Sequence, residues 1–159
     1  MSDTVTTTPQ GELDVLRTAL RTMPPAVAMG VEPVAYDGHV LRLSAPLALN
    51  VNDKGNAFGG SLGSLMTLSA WGLVTLRLHA EGRVGEVYVA DSSIRYSAPL
   101  YADLRAEARF APDCDWDAAM AIYARRGRAR LTLGACVRDP AGTVVSSLEA
   151  RFAVLAPVG

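Results

Sequence analysis

From Ala57 to Leu76 about twenty consecutive residues carry no charge, and that run limits what the chain can become. Its length would suffice to cross a bilayer. Leu62, Leu65, Met66, Leu68, Trp71, Leu73, Val74 and Leu76 spread over most of a helix circumference. The spacing therefore predicts a helix from Phe58 to about His79 that needs apolar neighbours on nearly every side. Gly, Ser and Thr recur along it, and the chain beyond it alternates polar and apolar residues as strands do. Burial against a sheet is thus favoured over a membrane span. Gly59, Gly60, Gly63 and Gly72 each cost about 1 kcal/mol in a helix interior relative to Ala, less at its start. Close approach of other backbone would account for them.

The remaining elements read as cover for this helix. Leu13, Leu16, Leu20 and Met23 make an amphipathic helix over residues 12–23, which Pro24-Pro25 ends. Residues 27–34 read as a first strand, and 39–45 as a second with Leu41, Leu43 and Ala45 on one face. His39 opens that strand after the Asp37-Gly38 turn, as a solvated strand end. After the long helix, residues 86–99 form a strand with Tyr88, Ala90, Ser92, Ile94 and Tyr96 on one face, and residues 103–110 another. A small helix follows, capped by Asp113 or Asp115, with Trp116, Ala119, Met120 and Tyr123 along one stripe and Gly127 beyond its end. Strands over 128–138 and 143–155 are joined by an Asp139-Pro140-Ala141-Gly142 hairpin. Apolar and charged faces alternate through most of these strands. The pattern is that of an α+β domain whose antiparallel sheet is solvated on one side and covered by the long helix on the other.

Composition excludes several functions. A chain of 159 residues, half of them hydrophobic, fits one domain with one core. Its formal charge of -1 provides no electrostatic footprint for nucleic acid. Cys114 and Cys136 read as free thiols of a reducing cytosol, and His39 and His79 stand in no ligand-spaced group, so no metal and no cofactor is expected. Residues 1–11 lack the positive and apolar regions of a signal peptide and read as a disordered tail. No membrane association is expected either.

The chemistry is expected where the polar loop of residues 50–61 enters the long helix. Free amides at a helix start lie there beside Asn and Asp side chains. Helix, two strands, a buried helix and four wrapping strands resemble the hotdog fold over about residues 12–156. Asn52, Gly55 and the Gly59-Gly60 pair fall where many hotdog thioesterases carry Asn, Gly and His-Gly-Gly. Asn-Asp-Lys-Gly-Asn-Ala-Phe-Gly-Gly-Ser-Leu, with Trp71-Gly72 further on, is most similar to the thioesterases related to the YiiD C-terminal region. Phe58 replaces the usual His, and Thr67 stands about where the best-known group places a helix carboxylate.

The resemblance implies an acyl thioesterase acting on acyl-coenzyme A or acyl-carrier protein, as a homodimer or dimer of dimers. Gly60 would offer an amide to the carbonyl oxygen, Asn52 would hold water or the carbonyl, and Asp53 would serve as base. Phe58, Gly59, Ser64, Thr67 and Asp91 would contact substrate. Each also has a plain structural reading. Glycines allow close helix packing, Asn52 and Asp53 suit turns, and Ser64, Thr67 and Ser69 suit bonds to a carbonyl four residues earlier. Asp91 could pair with an Arg. The cluster Arg125, Arg126, Arg128 and Arg130 suits either the phosphates of coenzyme A or a carrier arm, or a helix C-terminus and a solvated strand. The absent helix carboxylate leaves a non-hydrolytic acyl-thioester binding module as the alternative, and a hydratase lacks its catalytic His.

Overall fold

The computed structural model describes residues 9–158. The expected tail falls largely outside them, although the first helix, α1 (Pro9–Arg21), takes in its last three residues. Leu13, Leu16 and Leu20 are the buried stripe of α1. Pro24-Pro25 ends that helix and also starts another. Two prolines at its first positions, which need no amide donor, begin α2 (Pro24–Met29), and Gly30 at φ 69° closes it. The strand expected over 27–34 is therefore displaced to β1 (Glu32–Tyr36).

Strand β2 (Leu41–Ala45) leads through a short 3-10 turn (Leu47–Leu49) and a loop into α3 (Gly59–Ala80). Strands β3 (Glu86–Tyr96) and β4 (Leu104–Phe110), helix α4 (Trp116–Arg126), and strands β5 (Arg128–Arg138) and β6 (Val144–Leu155) follow. They form one six-stranded sheet in the order β1-β2-β4-β5-β6-β3, with every pairing antiparallel. Helix α3 crosses the inner face from β2 to the far edge at β3, so the sheet wraps it as a hotdog fold does. Its Leu65, Met66, Ala70, Leu73, Val74 and Leu76 are fully buried. No described helix is long and apolar enough to cross a membrane.

The glycines of α3 are approached by side chains, not by the backbone the sequence suggested. A Cβ at Gly72 would lie 2.7 Å from Leu41 Cδ2 and 3.2 Å from Leu16 Cδ1, so that glycine lets α1, β2 and α3 close together. At the far end of α3, Arg77 stacks on the Trp116 ring at 4.9 Å, and Trp116 Nε1 donates to Glu81 at 2.8 Å. Of the two candidate caps, Asp115 is the one that accepts from Ala118 N of α4, and Gly127 at φ 68° ends that helix.

Strand β3 departs from simple alternation. Its pairing with β6 skips Ala90, a β-bulge that exchanges the two faces. Before it Val87 and Val89 stand opposite the buried Val154 and Phe152; after it Ser92, Ile94 and Tyr96 stand opposite Ala150, Leu148 and Ser146. Tyr88, expected on the face of Ile94, turns outward instead.

Because the Gly72 contacts involve core side chains with little room, Gly72→Ala should lower unfolding free energy by about 1–2 kcal/mol despite better helix propensity. Urea denaturation measures this, and a stabilised variant would contradict the packing.

Candidate active site

Helix α3 begins without a side-chain cap. Phe58 occupies the cap position, its carbonyl accepts from the amides of Ser61 and Leu62, and no acidic residue lies in the first turn. The amides of Gly59 and Gly60 thus precede the first intrahelical bond, at the positive end of the helix dipole. The Phe58 ring lies over Gly60, where a Cβ would come within 2.5 Å of Phe58 Cε1.

Beside this turn an open groove of about 760 Å³ runs between the α1–α2 junction, α3 and β3. Met23, Pro24, Met29, Leu68 and Ile94 give it an apolar lining; Gly60, Ser64 and Thr67 bring the helix face to it, and Tyr96 borders one side. Its size suits an organic group rather than a single ion. Among the described residues no group of His, Cys, Asp or Glu is arranged to hold a metal ion.

Three of the eight site candidates read from the sequence line the groove: Gly60, Ser64 and Thr67. The Thr67 hydroxyl donates to the Gly63 carbonyl at 2.8 Å, and the buried Ser69 does the same to Leu65. Gly59 lies on the other flank of the first turn, where its carbonyl accepts from the Tyr96 hydroxyl at 3.1 Å. Phe58 is more than half exposed.

Asn52 and Asp53 stand apart from the groove lining. Asn52 Oδ1 accepts from the amides of Lys54, at 2.8 Å, and Asn56, at 3.2 Å, and its Nδ2 donates to Asn56 Oδ1 at 2.8 Å. Those bonds commit the side chain to shaping the turn that Gly55 closes at φ 83°. Asp53 pairs with Lys54 at 2.9 Å, both side chains in solvent. Asp91 faces outward beside the bulge and pairs with Arg151, whose guanidinium holds the carboxyl below its ordinary pKa. Arg125, Arg126, Arg128 and Arg130 are exposed and none lines the groove, while Cys114 and Cys136 are free and half-buried.

The groove's remaining walls had only indirect signals in the sequence. The Pro-Pro dipeptide marked a boundary but not that Met23, Pro24 and Met29 would face α3. Tyr96 followed from alternation and resemblance, without indication that its ring would pack over Gly59 and Gly63.

With this geometry in hand, the comparisons with known proteins assign the family. Residues 14–156 match the family described as putative thioesterase (yiiD_Cterm), and the chain belongs to that family. A protein of unknown function from Chlorobaculum tepidum TLS is 30% identical, with 95% of this chain and 98% of that chain covered at a TM-score of 0.86. The putative thioesterase from Shewanella oneidensis is 27% identical, covering 93% and 99% at a TM-score of 0.78. The PaaI protein of the Escherichia coli phenylacetic acid degradation operon, 13% identical over 96% and 97% of the chains, shares the fold at a TM-score of 0.66.

If Asn52 serves the turn, Asn52→Ala should reduce stability by about 1–2 kcal/mol through the lost bonds. Thermal and urea unfolding check this, and an unchanged midpoint would return Asn52 to a role with substrate.

Proposed function

We propose that this protein hydrolyses acyl thioesters, converting an acyl-coenzyme A or acyl-carrier-protein thioester and water to a carboxylic acid and a free thiol. The observation that carries the reading is the uncapped start of α3 opening beside an apolar groove. An acyl chain is apolar and its thioester carbonyl develops negative charge during attack, so the substrate needs both features side by side. Donors of this kind are worth about 3–4 kcal/mol each in known acyl-transfer sites. The exposed Ser64 hydroxyl, four residues beyond Gly60, also lines the groove and would be available to hold the attacking water.

A homodimer fits the same reading. Edge strand β1 is short, contains Pro33 and is bulged, features that discourage pairing. Edge strand β3 has eleven residues and no proline, and Tyr88 and Val89 on it are about half exposed. A second copy pairing antiparallel along β3 would satisfy that edge by two-fold symmetry. Sedimentation should give at least twice the 16.8 kDa chain mass. A monomer at micromolar concentration would remove this part.

Among the described residues no carboxylate lines the groove, and this favours one rival, a module that binds acyl thioesters without cleaving them. A panel of acyl-coenzyme A esters assayed for released thiol separates the two, saturable binding without turnover deciding for the module. Exposed and paired to Lys54, Asp53 should be dispensable, with Asp53→Ala retaining kcat/KM within about threefold. A loss of about a hundredfold or more would make Asp53 the base after all.

A further inference from the structure

A thioester has two arms, and the structure offers two cavities, one on each side of the first turn of α3. The larger is the apolar groove already described. The smaller, of about 380 Å³, is lined by Asn56, Gly59, Leu62, Ser97 and Pro99. Tyr96 is the one side chain that borders both. Its ring packs over two glycines. Gly59 and Gly63 are one turn apart on α3, and Cβ atoms built there would lie 3.5 Å from Tyr96 Cε1 and 3.4 Å from its hydroxyl. The ring therefore lies across a glycine-floored strip of helix, and its hydroxyl is anchored by donation to the Gly59 carbonyl at 3.1 Å.

We propose that Tyr96 is the specificity-determining divider of a two-armed thioester site. Resting on the thioesterase reading, the assignment places the acyl chain in the groove bordered by Met23, Met29 and Ile94. The amide-bearing thiol arm lies in the smaller cavity beside Asn56 and Ser97, and the carbonyl sits between them at the Gly59–Gly60 amides. The chemistry of the two linings sets the direction. Sulfur- and carbon-rich side chains suit a hydrocarbon, whereas an amide side chain and a hydroxyl suit an arm built from amides. The Tyr96 ring then closes the acyl groove at its carbonyl end, so it limits the bulk admitted on the acyl carbons next to the carbonyl.

The test compares wild type, Tyr96→Phe and Tyr96→Ala on matched straight-chain and α-branched acyl-coenzyme A esters, scored as the ratio of kcat/KM for branched to straight acyl groups. Removing the ring opens space beside the carbonyl, so Tyr96→Ala should raise that ratio about tenfold or more, a change of the size that pocket contacts with one or a few methylenes produce. Tyr96→Phe keeps the ring and should hold the ratio within about twofold. A merely structural role would lower all esters together and leave the ratio unmoved, which would overturn the proposal. Ser97→Trp, filling the smaller cavity, should raise KM for every ester with the ratio unchanged; selective loss of the branched esters would reverse the assignment of arms. If wild type cleaves no ester, the thioesterase reading fails by itself. The divider is then read from binding of non-hydrolysable acyl-coenzyme A thioethers, where the same ratio must rise in Tyr96→Ala. Absence of any such binding would overturn both.

Discussion

Everything in this fold follows from the burial of α3. A helix apolar on all sides gains nothing from water on any face, so the rest of the chain must enclose it. The sheet covers it with alternate residues of β2, β4, β5 and β6, and α1 closes part of the remaining side through Leu16. Enclosure by both a sheet and a helix requires close approach, and Gly72 allows it where Leu41 and Leu16 meet the helix. A glycine that weakens an isolated helix is retained because packing needs the space.

The same economy operates at the start of α3 with a different result. There Gly63 leaves room for Ile94 and Gly60 for the Phe58 ring, while Tyr96 packs over Gly59. No Ser, Thr or Asp caps the turn, so its first amides remain without side-chain acceptors. The loop before it is nonetheless held firmly. Asn50 donates to the carbonyls of Met29 and Pro46, and the amide of Ala57 bonds to Leu100. An uncapped turn on a braced loop is a donor set fixed in advance, which is what stabilisation of a developing oxyanion asks of a protein.

Elements with their own punctuation were legible in the sequence. Gly127 fixed the end of α4, Asp139 through Gly142 fixed the last hairpin, and unbroken alternation fixed β5 to the residue. What stayed hidden depended on long-range fit. Nothing local marks Ala90 as the residue skipped in pairing with β6, so half of β3 was assigned to the wrong face. Pro24-Pro25 carried two meanings, end of α1 and start of α2, and periodicity alone favoured the first. At the site, Gly60, Ser64 and Thr67 were named from the resemblance, and their helical spacing brings all three to the face that lines the groove. Asn52 was ambiguous, since the side chain that can hold a substrate can also accept from amides of its own turn, and here it does.

Strand β3 joins these strands of argument. It is the sheet's long open edge, and it also supplies Ile94 and Tyr96 to the groove. The bulge at Ala90 underlies the second role. Without the exchange of faces, Val87 and Val89 could not share the inner side with Ile94 and Tyr96. Upstream of the bulge the strand contributes to the core beside Val154 and Phe152; downstream it turns toward the first half of α3. Any partner chain paired along this edge would hold the backbone that carries Tyr96. Pairing of a second copy along this edge, as proposed, would couple assembly to the shape of the groove through a single strand, and a substitution that loosens the edge should disturb the groove before it disturbs the core.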